Sequence, residues 1–302
     1  MCFSEFILFR LPSPHTPLPI SIDDVRAAAA RIRPYVHTTP LVSSRALSER
    51  IGCEVRLKCE NLQRAGSFKI RGAMNALLQI EPQQRRRGVV AFSSGNHAQG
   101  VALAARLLGM PATIVMPEGS VQAKIDATKG YGAEVVTAGV TAATRDTVAR
   151  EIAEEWPEAS AVVTPLGGGG LLSGTALAVT SLNPKTAVFG VEPAAGNDGE
   201  RSFHSGIIVT IDPPKTIADG ARTLALGQRN FAIIRERVEN VVSVDDDILL
   251  ETVKFAMYRT KMVIEPTGAL GIAALIAGKI KPRGPVAVVV SGGNLDFSLL
   301  CR

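Results

Sequence analysis

Aromatic residues are scarce in this chain: they make up 5% of 302 residues, with a single tryptophan. Beside plentiful alanine, valine, glycine and leucine, that scarcity fits an α/β protein better than an all-β one. Cysteine is also sparse. Cys2, Cys53, Cys59 and Cys301 form no C-x-x-C pair and match no Cys/His zinc spacing, which points to a reduced, cytoplasmic protein. Long apolar runs are missing. Phe6–Phe9 is too short for a signal peptide or a membrane span, and prolines follow at 12, 14, 17 and 19, so no membrane association is expected. Residues 1–20 read as a disordered extension or an artefact of start-site choice. The chain also lacks a Walker loop and a G-x-G-x-x-G dinucleotide motif. A net charge of +5 is compatible with nucleic acid, but the basic residues are spread along the chain. The one tight run, Arg85-Arg86-Arg87, reads as a solvated turn in a Gln- and Pro-containing loop, and no nucleic-acid partner is expected.

What is present is alternation. Ser21, with Asp23 and Asp24 behind it, opens a helix running towards Arg33. Strands are predicted over 54–59, 89–92, 112–116, 134–137, 161–164, 188–191 and 286–290. Helices are predicted over 68–78, 96–108, 122–129 and 141–155, with another starting near Leu171. Apolar strands alternating with helices imply mainly parallel sheets covered on both faces. Ligands in such folds bind at the carboxyl ends of the strands.

Four motifs fall at or near such ends. In Ala65-Gly66-Ser67-Phe68-Lys69-Ile70-Arg71-Gly72, a lysine is fixed at a helix start among small residues. The bland reading is a surface lysine; the functional one is a partly desolvated amine able to form an imine with an aldehyde cofactor. Ser93-Ser94-Gly95-Asn96-His97 follows a strand. It is either an ordinary capped turn or a set of N–H and hydroxyl donors for an anion such as a carboxylate. Gly167-Gly168-Gly169-Gly170 lies between apolar elements, where a linker would be polar, and its backbone could nest a phosphate. Ser291-Gly292-Gly293-Asn294 follows the strand over 286–290 and is otherwise a plain turn.

Each motif alone is weak. In this order they resemble the fold-type II pyridoxal-phosphate (PLP) enzymes, specifically the threonine/serine dehydratase and serine racemase group that includes threo-3-hydroxyaspartate ammonia-lyase. The resemblance spans residues 21–297. It implies a two-domain α/β fold of mainly parallel sheets flanked by helices, like the tryptophan synthase β chain. A large PLP-binding domain would comprise 21–87 plus 156–302, and a small substrate-binding domain 88–155. It also implies that Lys69 holds PLP covalently and shuttles the Cα proton, with Phe68 packed on the ring. Asn96 would bond the cofactor's 3-hydroxyl, Gly167 to Gly170 the phosphate and Ser291 the ring nitrogen, with Glu265 nearby. A serine there leaves the ring a weaker electron sink than an aspartate would, which favours prompt loss of a β-leaving group. Ser93, Ser94, Gly95 and His97 would hold the substrate carboxylate, Arg145 would face the substrate, and Ser94 matches the racemases' second catalytic residue. Glu192, Gly196 and Asp198, in Glu192-Pro193-Ala194-Ala195-Gly196-Asn197-Asp198, resemble the group's Mg²⁺ or Ca²⁺ site, oxygen ligands suiting hard cations; without the resemblance they read as a solvated polar loop. The Thr216–Arg222 segment also looks like this group's. A homodimer is implied as well.

The chain departs from the group in a Leu-rich tail that stops soon after Asn294 and, more seriously, at one internal place. A strand with a His-Pro turn and the following Ala-Gly-Gln-Gly-Thr helix, about 25 to 30 residues, enough for one strand and one helix, are missing between Glu155 and Trp156. Their loss would remove part of the active-site wall and a crossing between the domains. The expected activity is conversion of L-threonine, L-serine or 3-hydroxyaspartate to a 2-oxo acid and ammonia. The rivals are a serine racemase and an inactive family remnant, and further off a nucleotide- or nucleic-acid-binding protein.

Overall fold

The computed structural model describes residues 19–93, 95–116, 122–137 and 158–301. The expected extension over 1–20 therefore lies almost wholly outside the described residues, as do the helix expected over 141–155 and the junction between Glu155 and Trp156. Helix α1 (Ile22–Ile32) starts as its sequence dictates. The Asp24 N–H donates to Ser21 Oγ, and the Asp24 carboxylate accepts the Ser21 N–H at 2.8 Å, a reciprocal cap.

Two sheets form. The larger has the order β1 (Leu41–Ser43), β2 (Val55–Cys59), β9 (Val286–Val290), β6 (Ala161–Pro165), β7 (Ala187–Pro193), β8 (Asn240–Val244). All its pairings are parallel except β1 against β2. Strand β9 is wholly buried and shows why such strands read as unbroken apolar runs. Val286, Val288 and Val290 face a core built with helix α11 (Pro266–Ile276), while Ala287 and Val289 face one built with α7 (Gly170–Leu182) and α9 (Gln228–Arg237). The smaller sheet is parallel, β3 (Val89–Phe92), β4 (Ala112–Met116), β5 (Glu134–Thr137). Its core joins β4 to helices α3 (Lys69–Leu78) and α5 (Asn96–Leu107). Among the described residues β3 pairs only with β4, and Val90 on it is 76% exposed.

The arginine run is a solvated turn, as expected, at Arg86 and Arg87, but not at Arg85. Pro82–Arg85 is a one-turn helix, α4, with proline at its first position, where the missing N–H costs nothing. Arg85 donates to the carbonyls of Ile80 and Leu78 at 3.0 and 3.1 Å. It thus satisfies acceptors left open where α3 ends, while Arg86 and Arg87 stay exposed.

Candidate active site

The motif loops converge. Phe68 is the residue before α3, and its N–H donates to the Ser291 carbonyl at 3.2 Å. Ser67 and Gly292 form an antiparallel bridge, and the Gly293 N–H donates to Gly66 at 3.0 Å. The loop after β9 is thereby stitched to the turn that presents Lys69. The Lys69 ammonium lies 5.1 Å from the centre of the buried Phe68 ring. Ser291 is 2% exposed.

From the smaller sheet, Asn96 opens α5 and reaches across. Its amide donates to Glu265 Oε1 at 2.7 Å, and its oxygen accepts from Asn294 at 2.7 Å; Asn294 also donates to the Ala65 carbonyl at 3.0 Å. This approach needs a glycine beside it. A Cβ on Gly292 would lie 2.4 Å from Glu265 Oε1 and 3.0 Å from the Asn96 amide nitrogen. Ser93, Gly95 and His97 line the same turn half-buried, with the Gly95 N–H donating to Ser93 Oγ at 3.2 Å. Ser94 and Arg145 lie outside the described residues.

Glu265 is 2% exposed, and its carboxyl is pushed up to about 7. Burial is the main cause, followed by the negative charge of Asp219; the Asn96 hydrogen bond, Lys124 and Lys69 pull the other way. Two polar atoms at the site, Glu265 Oε2 and Ser67 Oγ, are buried with no hydrogen-bond partner among the described residues. Buried groups of that kind ask for a ligand or water.

The glycine run forms a cradle. The Gly168 carbonyl accepts the Gly227 N–H at 3.2 Å and the Asn230 amide at 2.7 Å. Gly169 takes φ +89°, a left-handed conformation that other residues rarely adopt. Helix α7 begins at Gly170 without a side-chain cap, so its first N–H groups face outward at a positive dipole end, suited to an anion.

Glu192 and Asp198 are not the solvated loop acids of the bland reading. Both are fully buried, as is Gly196. The Glu192 carboxylate accepts N–H groups from Gly199 and Glu200 at 3.2 and 2.6 Å, at the start of α8 (Asp198–Ser205). Both Asp198 carboxylate oxygens are buried without a hydrogen-bond partner among the described residues. Burial raises Glu192 to about 9 and Asp198 to about 6. Among the described residues no group of three or more His, Cys, Asp or Glu side chains is placed to hold a metal.

Several residues at the site were not singled out from sequence. Asn294 closes a quoted motif, and its role emerges only from contact with Asn96. Lys124 and Asn230 gave no local signal, since their partners lie far away in the chain; Asp219 falls in the Thr216–Arg222 segment, but nothing there pointed to its contact with Lys124.

The description of the pyridoxal-phosphate dependent enzyme family matches residues 32–159 and 139–292. The chain belongs to this family. The chain is 50% identical to the L-threo-3-hydroxyaspartate ammonia-lyase of Pseudomonas sp, covering 92% of this chain and 96% of that protein. It is 45% identical to the serine racemase of Schizosaccharomyces pombe, covering 91% and 94%. The structure of maize serine racemase superposes with a TM-score of 0.88 at 35% identity, covering 93% of this chain and 95% of that one. The fold is that of the fold-type II PLP enzymes. The Pseudomonas alignment runs over 306 residues, yet 92% of this chain is only about 278, so about 28 positions of the relative face no residue here. That agrees in size with the missing strand and helix, and the family description matches in two overlapping stretches that meet around 139–159. No helix among the described residues is long and apolar enough to cross a membrane.

The residues present fit PLP. A lysine amine, an anion cradle with a helix behind it and a buried serine at a strand end are the chemistry that an aldehyde, a phosphate and a ring nitrogen need, and Ser67 Oγ and Glu265 Oε2 are buried without a partner among the described residues.

Proposed function

We propose that the chain is a PLP-dependent ammonia-lyase for β-hydroxy amino acids, with 3-hydroxyaspartate ahead of threonine and serine. The observation that carries the reading is the meeting of Lys69, Asn96, Glu265, the glycine cradle and Ser291 at one place; the 50% identity to a 3-hydroxyaspartate ammonia-lyase supports the substrate class. When bound, PLP supplies an electron-withdrawing ring that takes up the electron pair left on a substrate carbon.

The chain's own residues do the rest. Lys69 would hold the cofactor aldehyde and would accept the Cα proton at Nζ when that amine is free. Gly167, Gly168, Gly169 and Gly170 would hold the phosphate, Asn96 the 3-hydroxyl and Ser291 the ring nitrogen, with Phe68 and Glu265 near the ring. Ser93, Ser94, Gly95 and His97 would bind the substrate carboxylate, and Arg145 would face the substrate. Fixing the Cα–H bond in one orientation contributes much of the rate. Glu192, Asp198 and the Gly196 carbonyl would hold Mg²⁺ or Ca²⁺, which would give a partner to the two Asp198 oxygens that have none among the described residues. Residues 21–87 with 156–302 form the PLP-binding domain and 88–155 the substrate-binding domain of a cytoplasmic homodimer.

Two other readings have specific support. Identity to a serine racemase, with Ser94 at the second catalytic position, favours racemisation, which chiral analysis of products separates from ammonia release. The positions missing against the relatives, and the exposed outer strand β3, favour an inactive remnant. The deciding experiment is the visible spectrum of the purified chain with PLP, before and after borohydride. A band that borohydride reduces and that Lys69→Ala abolishes is expected. Its absence from folded protein would sink the enzyme reading.

A further inference from the structure

An ion pair crosses between the two sheets where neither the motifs nor the proposed chemistry require one. Lys124 lies on α6 (Gln122–Gly130), beside the smaller sheet, and is only 9% exposed. Its Nζ donates to Oδ2 of Asp219, on the larger-sheet side. A lysine this deep is costly unless paired, so the contact fixes where α6 sits. Asp219 opens the turn Asp219–Ala221, which is itself wedged into the site. The Gly220 N–H donates to Thr267 Oγ1 at 2.9 Å, in the first turn of α11 just past Glu265. On its other side, a Cβ on Gly167 would come within 3.3 Å of the Gly220 carbonyl. The turn therefore stands between the glycine cradle and the Glu265 segment, and Lys124 grips its first residue.

We propose that Lys124 is a positioning residue: its pair with Asp219 pins α6 and the smaller sheet to the turn beside the glycine cradle and so fixes the width of the cleft. This rests on the functional reading above. The pair also carries opposite charges close to Glu265, whose charged or polar surroundings are Asp219, Lys124, Lys69 and Asn96. Removing the Asp219 charge therefore lowers the pH at which Glu265 ionises, and removing the Lys124 charge raises it.

The test compares the parent with Lys124→Met, Asp219→Asn and the exchanged pair Lys124→Asp with Asp219→Lys. In protein without PLP, amide hydrogen exchange over 122–130 should quicken about tenfold in each single variant and return to within about threefold of the parent in the exchanged pair. With PLP bound, the pH midpoint of the cofactor absorbance should move down in Asp219→Asn and up in Lys124→Met, a split that loss of packing would not produce. Unchanged exchange in the single variants, midpoints moving the same way, or an exchanged pair no better than the singles would overturn the proposal. Failure of the parent to take up PLP defeats the functional reading instead, and the exchange comparison still decides whether the pair pins α6.

Discussion

Replacing Glu265 with glutamine should flatten the fall of stability with pH. A free glutamate ionises near 4.5, whereas the buried Glu265 keeps its proton up to about 7. Between those values the folded state holds the proton more tightly than the unfolded one, so stability falls as pH rises. Below the lower value both states are protonated and the group contributes nothing. Above the upper value both are ionised, and the folded state bears the whole cost of a buried charge. At about 1.4 kcal/mol for each pH unit between the two, that cost is about 3 kcal/mol. Glutamine keeps the oxygen that accepts the Asn96 amide at 2.7 Å but cannot ionise. Urea unfolding of cofactor-free protein from pH 5 to pH 8 measures the effect. Parent and variant should differ least at pH 5, with the variant gaining about 3 kcal/mol on the parent by pH 8. A difference that stays constant across that range refutes the reasoning, because Glu265 would then ionise at the same pH folded and unfolded.

Other perturbations test neighbouring parts. Gly292→Ala puts a methyl group 2.4 Å from Glu265 Oε1; denaturation should show a loss of about 1–3 kcal/mol, and PLP titration a weaker affinity. Arg71 and Glu60 form a two-pronged pair at 2.8 Å, both fully buried. Arg71→Met strips the buried Glu60 carboxyl of its arginine partner and leaves it the Thr39 hydroxyl, so urea unfolding should show a loss of about 3–5 kcal/mol. Mg²⁺ or Ca²⁺ should raise the Tm of the parent in calorimetry and leave that of Asp198→Asn unmoved, since the cation site is then broken.

Much of the framework was legible because its causes are local. The strands at Val89–Phe92, Ala112–Met116, Glu134–Thr137 and Val286–Val290 fall where expected, each a short run rich in apolar or β-branched residues set off by turn residues. Strand β1 escaped notice because three residues carry little periodicity, and its pairing with β2 is what makes it a strand. Within the Arg85–Arg87 run only Arg85 departed from the expected solvated turn, because the helix end that it closes lies a few residues upstream. At the site, Lys69, Asn96, the glycine run, Glu265 and Ser291 were picked out as matches to an ordered set of motifs. Asn294 was quoted without a role, and Lys124 and Asp219 had none.

The sequence by itself determined the α/β alternation, the family and the residue types of the site, because each is written in short stretches of side-chain chemistry. Only the tertiary structure decided which of those residues meet. Asn96 touches Glu265 from 169 positions away and Lys124 meets Asp219 across 95, contacts that exist only once the two sheets are packed against each other. Burial was decided there too. The same carboxyl that would ionise near 4.5 in water holds its proton to about 7 at Glu265, because folding removes the solvent that stabilises its charge.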